Sequence, residues 1–132
     1  MKNKVNLKLF IIIILMSMFN LKSVYASYDK VFFDFKLKSI SGDEINLSEY
    51  KGKTVLLVNV ASRCGFTKQY DDLQKIWDTY KNKGFVVIGI PSNQFGSQEP
   101  GTNEEIKEFC EVNFNITFPM TAKADVKGDN AH

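Results

Sequence analysis

Two apolar segments on either side of a helical pattern constrain the fold of this chain more than any other feature of its sequence. Residues 54–60 read TVLLVNV and residues 85–90 read FVVIGI. Continuous runs of this kind are typical of strands buried on both faces of a parallel sheet, and we expect the first of them to be central. Parallel neighbours need a right-handed crossover between them. The sequence therefore predicts an α/β domain built around one β-α-β unit.

The segment between these strands is expected to form the crossover helix. Its apolar residues recur at spacings of three and four among Asp, Lys and Gln, and Gly84 is placed to end the helix. These apolar residues are Tyr70, Leu73, Ile76, Trp77 and Tyr80. We expect Trp77, the only tryptophan, to be a packing residue.

Shorter elements are expected on either side of this unit. Two β-like stretches, 32–37 and 44–47, are separated by turn residues 41–43 and predict a hairpin. The motif EEIKEFCEVNF indicates a short helix that opens near Thr102.

The first 26 residues read as an export signal and not as part of the fold. Three lysines precede an apolar run over residues 9–19, and Val24 and Ala26 are small residues at a cleavage position. The run is shorter than the roughly 20 residues of a membrane-spanning helix, so export is favoured over anchoring. We expect one domain over residues 27–132, in a periplasmic or secreted protein without stable membrane association.

The charge balance argues against one class of partner. The formal net charge is +2, but four of the 17 basic residues lie in the signal, which holds no acid, so the rest of the chain has 13 basic against 15 acidic residues. A mildly acidic domain with interspersed lysines has no electrostatic reason to bind nucleic acid or an anionic membrane surface.

The chain has two cysteines, Cys64 and Cys110, and neither belongs to a CxxC motif. Two cysteines are too few for a secreted disulfide scaffold, and the single histidine is the last residue. The sequence thus offers no Cys/His cluster for zinc and no thioredoxin-type dithiol. We expect neither a metal nor an organic cofactor.

Cys64 follows the first buried strand in the segment NVASRCG. We expect it at the start of the crossover helix, where backbone N–H groups favour the thiolate, which is the nucleophilic form. Arg63 adds positive charge, Gly65 would let a substrate approach the backbone closely, and Thr67 is placed to cap the helix. The alternative is a small buried cysteine without chemistry. The strand-to-helix corner favours a reactive thiol.

A polar loop, PSNQFGSQEP at residues 91–100, leaves the end of the second strand and so arrives at the same sheet edge as Cys64. Amide side chains there can donate hydrogen bonds to a thiolate or to the oxygen that departs when a peroxide bond breaks. For Asn93 and Gln94, turn formation and satisfied loop polarity are an equally good explanation. Composition alone does not single out Gln98.

Three stretches resemble the glutathione peroxidase family in its cysteine-containing form: VNVASRCGFT, GIPSNQFGSQEPGTNEEIKEFC, and FPM followed by ADVKGDNAH. The similarity runs from about Phe33 to the last residue. It implies a thioredoxin-like α/β fold with a central sheet flanked by helices. It also implies that Cys64 is the peroxidatic residue and Gln98 the active-site glutamine, and we expect Gly65 and Asn93 to contact the substrate.

The resemblance changes the interpretation of Cys110. Periodicity alone places this residue on the apolar face of its helix, beside Ile106 and Phe109, which favours a packing role. The resemblance implies a resolving thiol instead, whose disulfide is reduced by thioredoxin more readily than by glutathione. Because a disulfide needs Cα atoms within about 7 Å, we expect the helix to unwind locally during that step. The implied activity is reduction of hydrogen peroxide and organic or lipid hydroperoxides, in defence against oxidative stress, by a monomer.

The chain departs from the family at its end. Family members continue beyond the place where this sequence stops, and they carry there a Trp-Asn pair that joins the active site. We therefore expect a fragment that lacks the last strands and helix. The alternative to a peroxidase is a redox-sensitive thiol protein or partner-docking module without turnover. A third alternative, a disulfide carrier, is weakened by the missing CxxC motif.

Overall fold

The computed structural model describes residues 30–131. The predicted export signal at residues 1–26 lies outside the described residues. Within them the chain forms short 3-10 turns at Phe32–Asp34, Leu47–Tyr50 and Lys81–Lys83. Its regular elements, in chain order, are β1 (Lys36–Lys38), β2 (Glu44–Asn46), β3 (Thr54–Val60), α1 (Gln69–Tyr80), β4 (Phe85–Pro91) and α2 (Asn103–Phe114).

The β-α-β unit is present as predicted. Strands β3 and β4 pair in parallel, from Thr54 opposite Phe85 to Val60 opposite Pro91, and α1 connects them. The helix gives way to the turn at Lys81–Lys83, and Gly84 ends it in a left-handed conformation with φ of 76°.

The apolar face of α1 is narrower than its sequence pattern predicts. Tyr70 is buried, and Leu73 and Trp77 pack half-buried against the core, which confirms the packing role of Trp77. Ile76 and Tyr80 are exposed. The three packed residues follow an i, i+3, i+7 line that faces the sheet, and the two exposed residues flank that line.

The prediction that β3 is the central strand is wrong for the described residues. There, β4 lies between β3 and the segment 119–124: the Gly89 N–H donates to the Pro119 carbonyl at 2.9 Å, and the Ala124 N–H donates to the Pro91 carbonyl at 2.9 Å. Residues 86–89 of β4 are buried, whereas Leu57 of β3 is 45% exposed. The two strands have similar apolar sequences, so only the packing of segment 119–124 on one edge distinguishes them.

The predicted hairpin forms from β1 and β2, which pair antiparallel around a turn containing Gly42 at φ of 95°. Its first stretch is shorter than expected, because Phe32–Asp34 is a 3-10 turn and not part of a strand. The hairpin joins the sheet through segment 119–124, since the Ala122 N–H donates to the Lys38 carbonyl at 2.8 Å.

Helix α2 begins where the sequence predicts. The Thr102 side chain accepts the Glu105 N–H at 3.2 Å, and the Glu105 carboxylate accepts the Thr102 N–H at 2.8 Å, which is a capping box. Its buried residues, Ile106 and Cys110, belong to the main core cluster. No helix within residues 30–131 has the length and apolar character that crossing a membrane requires.

Candidate active site

Two loops leave the carboxyl ends of β3 and β4 side by side. The Ser92 N–H donates to the Val60 carbonyl at 3.3 Å, and the Arg63 N–H donates to the Gln98 carbonyl at 3.0 Å. These bonds confirm the prediction that the Cys64 loop and the loop after β4 meet at one edge of the sheet.

Cys64 lies on a turn and not at the start of a helix, which corrects the sequence prediction. Helix α1 begins at Gln69, and turn residues 65–68 separate it from Cys64. The thiol is half-buried, and its Sγ accepts the Phe66 N–H at 3.4 Å. A backbone donor therefore reaches the sulfur as expected, but the donor belongs to a tight turn.

Thr67 closes this turn and does not cap α1. Its Oγ1 accepts the Cys64 N–H at 3.0 Å and lies 2.7 Å from the Cys64 carbonyl and 3.0 Å from the Ala61 carbonyl, to either of which it can donate. The residue that caps α1, Lys68, makes no side-chain capping bond. The capping prediction is wrong because the Thr67 hydroxyl is occupied by the Cys64 turn.

Two consecutive residues in the left-handed conformation precede Gln98. Gly96 has φ of 61° and Ser97 has φ of 55°. A left-handed conformation costs a non-glycine residue about 1–2 kcal/mol, so the turn is held by its surroundings. The Gln98 side chain lies over Gly96, with Nε2 3.6 Å from where a Cβ would be. Within residues 30–131 no hydrogen bond joins the Gln98 amide to the Cys64 sulfur, and the role of Gln98 stays a prediction.

The other amides of this loop make loop contacts. Asn93 is exposed, and its Oδ1 accepts the Glu99 N–H at 2.9 Å. The Gln94 Oε1 accepts the N–H groups of Val126 and Lys127 at 2.8 and 2.9 Å. These contacts agree with the alternative in which both amides satisfy hydrogen bonds of the loops. Substrate contact by Asn93 stays a prediction.

The surface around Cys64 is open and partly apolar. Gly65 is exposed, and a Cβ there would meet nothing within 4 Å, so a substrate has access to its backbone, although its predicted contact is untested. Phe66 is 73% exposed, and Phe95 of the neighbouring loop is also exposed. Cys64 also lines a small cavity of about 80 Å³ between β3 and α1.

Cys110 has the environment of a core residue. It lies in the middle of α2, is 1% exposed, and remains a free thiol, as does Cys64. Burial is the main cause that raises the pKa of the Cys110 thiol to about 11; the nearby Tyr70 hydroxyl opposes this rise, and the negative charges of Glu99 and Glu111 add to it. Its resolving role stays a prediction.

Sequence reasoning missed Glu99, which is fully buried at 0% exposure. Its Oε2 accepts the Ser62 N–H at 2.8 Å and lies 3.2 Å from the Ser62 hydroxyl. Burial raises the pKa of the Glu99 carboxyl, while the Ser62 bonds and the charges of Lys123 and Arg63 oppose that rise. An acid beside a proline in a polar loop resembles a solvated residue, so the sequence carried no signal for its burial.

The titratable side chains between residues 30 and 131 form no group of three or more His, Cys, Asp or Glu that could hold a metal ion.

Comparison with known proteins identifies what the chain resembles. The family model described as glutathione peroxidase matches residues 32–132. Glutathione peroxidase-like peroxiredoxin 2 of Saccharomyces cerevisiae is 51% identical over 100 residues, which cover 76% of this chain and 62% of that protein. The glutathione peroxidase homolog BsaA of Staphylococcus epidermidis is 49% identical over 100 residues, covering 76% of this chain and 63% of that protein.

Solved structures agree with the sequence relatives. The crystal structure of Trgpx in apo form superposes with a TM-score of 0.59 at 43% identity, covering 79% of this chain and 60% of that chain. The predicted thioredoxin-like α/β fold is thereby confirmed. The chain spans about three fifths of the length of the curated relatives it matches.

Proposed function

This chain belongs to the glutathione peroxidase family, and from that premise we propose that it is a thiol peroxidase that reduces hydroperoxides through Cys64. One observation carries the proposal. Cys64 is a half-buried thiol on a turn that donates a backbone N–H to its sulfur, at the sheet edge where the Gln98 loop is bonded to the neighbouring Arg63. This arrangement gives the thiolate a backbone donor and access to solvent, and it brings the Gln98 loop beside the Cys64 turn.

The first chemical step is attack of the Cys64 thiolate on a hydroperoxide oxygen. An S–O bond forms, the O–O bond breaks, and the departing oxygen takes up a proton to become water or an alcohol. The Gln98 amide is proposed to donate a hydrogen bond to that oxygen as its charge develops. Gly65 and Asn93 are proposed to contact the substrate, and the exposed ring of Phe66 suits organic and lipid hydroperoxides as well as hydrogen peroxide. Cys64 is left as a sulfenic acid.

The second step is proposed to be capture of the sulfenic acid by Cys110, with release of water. An external dithiol, thioredoxin-like in preference to glutathione, then reduces the Cys64–Cys110 disulfide. Because Cys110 is buried in the middle of α2, this step requires the helix to open. Amide hydrogen exchange over residues 104–114 should therefore be faster in the oxidised than in the reduced protein. Equal exchange in both forms would contradict the opening.

The setting of this activity is also a proposal. The apolar run at residues 9–19 supports export to a periplasmic or extracellular location. We propose that the exported domain is a monomer that contacts no nucleic acid and has no stable membrane association. Mass spectrometry of the protein recovered from its host should give a chain that begins at Ser27. Recovery from membranes of a chain that still carries residues 1–26 would contradict export of a cleaved form.

A second candidate function is a redox-sensitive thiol protein or docking module without turnover. Among residues 30–131, no hydrogen bond joins the Gln98 amide to the Cys64 sulfur. This observation favours a thiol that oxidises without completing a catalytic cycle.

Peroxide consumption by the full chain distinguishes the two functions. The assay contains thioredoxin, thioredoxin reductase, NADPH and hydrogen peroxide, with Cys64→Ser and Cys110→Ser as variants. We expect turnover by the unmodified chain, no turnover by Cys64→Ser, and formation of the Cys64 sulfenic acid without turnover by Cys110→Ser. Oxidation of Cys64 that stops after one equivalent in the unmodified chain would favour the non-enzymatic module.

A further inference from the structure

Glu99 is a buried acid that the proposed chemistry does not use. Its side chain is 0% exposed, and its Oε1 is buried without a hydrogen-bond partner among the described residues. A buried polar atom without a partner costs free energy, and an apolar side chain of the same length would fill the space without that cost. The reason for a carboxyl group at this place should therefore lie in what its second oxygen does.

The second oxygen, Oε2, binds the loop that carries Cys64. It accepts the Ser62 N–H at 2.8 Å and lies 3.2 Å from the Ser62 hydroxyl. One residue further along the same loop, the Arg63 N–H donates to the Gln98 carbonyl at 3.0 Å. Two consecutive N–H groups of one loop are thus bound by two consecutive residues of the other. These contacts are called the loop clamp below.

The loop clamp lies next to both residues of the proposed peroxide step. Cys64 directly follows Arg63, and Gln98 directly precedes Glu99. The clamp therefore fixes the backbone of the thiol that attacks against the backbone of the proposed amide donor. A hydrogen bond to a departing oxygen forms only within a narrow range of distance and angle. Misplacing a reacting group by about 1 Å can cost about 100-fold in rate.

The backbone that carries the Glu99 side chain is itself held in place. The Glu99 N–H donates to Asn93 Oδ1 at 2.9 Å, and the Ser92 N–H of the same loop donates to the Val60 carbonyl at the end of β3 at 3.3 Å. Pro100 follows Glu99 directly and restricts its backbone to extended conformations. None of these contacts involves a residue of α2, so the clamp does not depend on that helix remaining closed.

We propose that Glu99 is a positioning residue for the peroxide step, an inference that rests on the proposed peroxidase function. By accepting both Ser62 donors, its side chain holds the Cys64 loop beside the Gln98 loop, so that the thiolate and the amide reach the same hydroperoxide together. In this role Glu99 neither exchanges a proton with the substrate nor touches a reacting atom. The role requires an acceptor oxygen at this position, which a glutamine also supplies.

Two variants of the full chain test this role. Glu99→Gln keeps the length of the side chain and an acceptor oxygen, whereas Glu99→Met keeps the length and has no oxygen. Glu108→Gln changes an exposed glutamate of α2 and is the matched control. Thermal unfolding checks that each variant folds.

The readout is a ratio of two rate constants for Cys64, measured by quenching the reaction and following the Cys64 peptide by mass spectrometry. The first is oxidation by hydrogen peroxide, and the second is alkylation by iodoacetamide. Both reactions need the thiolate, but only the first has a departing oxygen that an aligned amide stabilises. A change in exposure or ionisation of the thiol alters both rate constants, whereas a loss of alignment lowers the peroxide ratio.

We expect Glu99→Met to lower the peroxide ratio at least about tenfold, because the two loops lose their alignment. Glu99→Gln should stay within about threefold of the unmodified chain, and Glu108→Gln should match it. Ser62→Ala removes only the hydroxyl contact and should lower the ratio about threefold. In the Glu99→Met background, Ser62→Ala should have no further effect, because its partner is already absent.

Equal peroxide ratios in Glu99→Met and Glu99→Gln would overturn the proposal, because the acceptor oxygen would then make no difference. If Glu99→Met does not fold, Ser62→Ala decides, and an unchanged ratio in that variant overturns the proposal. Failure of the proposed function gives a different result. The unmodified chain would then have the same ratio as the chain unfolded in urea, and the proposed function and the positioning role would both be wrong.

Discussion

Replacing Thr67 by valine tests the finding that this residue holds the Cys64 turn and does not cap α1. The hydroxyl accepts the Cys64 N–H at 3.0 Å and donates to one of two nearby carbonyl oxygens, those of Cys64 and Ala61. Valine keeps the branched shape but removes both hydrogen bonds. Serine keeps the hydroxyl and loses only a methyl group, so Thr67→Ser is the control.

The hydrogen bonds of Thr67 set the size of the expected loss of stability. Two hydrogen bonds at about 1 kcal/mol each are lost, and the half-buried valine methyl recovers a fraction of that, so the free energy of unfolding should fall by about 1–2 kcal/mol. A domain of this size should melt about 4–12 °C lower. If about 1 kcal/mol of the loss falls on the geometry of the turn, the rate of Cys64 with peroxide should drop about fivefold.

Three measurements check this reasoning. Thermal unfolding gives the stability, stopped-flow kinetics gives the rate of Cys64 oxidation, and hydrogen exchange reports the Cys64 N–H directly. In Thr67→Val that amide should exchange faster, while the amides of α1 keep their protection; Thr67→Ser should resemble the unmodified chain. Faster exchange throughout the first turn of α1 would instead mean that Thr67 acts as a helix cap. Unchanged exchange at Cys64 would refute the role in the turn.

Three further predictions concern α2. Ile106→Ala should lower the free energy of unfolding by about 2–5 kcal/mol, because Ile106 is 1% exposed. The control is Val112→Ala on the same helix, where the side chain is 72% exposed and the change should be less than about 0.5 kcal/mol. Chemical denaturation measures both variants. Thr102→Ala should cost about 1 kcal/mol through loss of the capping box, and an unchanged denaturation midpoint would count against that cap. The pKa of the Cys110 thiol rises on folding from 9.0 to about 11, so the unfolded chain ionises first. The protonated Cys110 thiol therefore contributes about 2–3 kcal/mol to the free energy of unfolding below pH 9, and this contribution is lost as the pH rises toward 11. In Cys110→Ser, chemical denaturation at a series of pH values should show no such loss.

Local sequence patterns were sufficient for most of the architecture. The paired strands, the crossover helix ending near Gly84 and the helix opening at Thr102 each depend on residues close together in the chain, so periodicity and capping chemistry predict them. The meeting of the two loops also followed from sequence, since parallel strands bring their carboxyl ends to one edge.

Local patterns failed where a distant segment decides the environment. Leu57 and Val87 look alike in sequence, but only Val87 is buried, because segment 119–124 pairs with the edge of β4 and leaves β3 at the edge of the described sheet. The start of α1 was also predicted wrongly, at Cys64, because the Thr67 hydroxyl bonds the Ala61 carbonyl six residues earlier and does not cap the helix.

The sequence by itself determined the fold class, the family and the identity of the two thiols, because these are carried by residue types and their spacing. Only the tertiary structure decided what surrounds those thiols. Cys110 has a raised pKa and Glu99 is a buried carboxylate tied to Ser62 because segments distant in the chain close over them. Burial and electrostatics depend on neighbours in space, and the order of residues along the chain does not specify those neighbours.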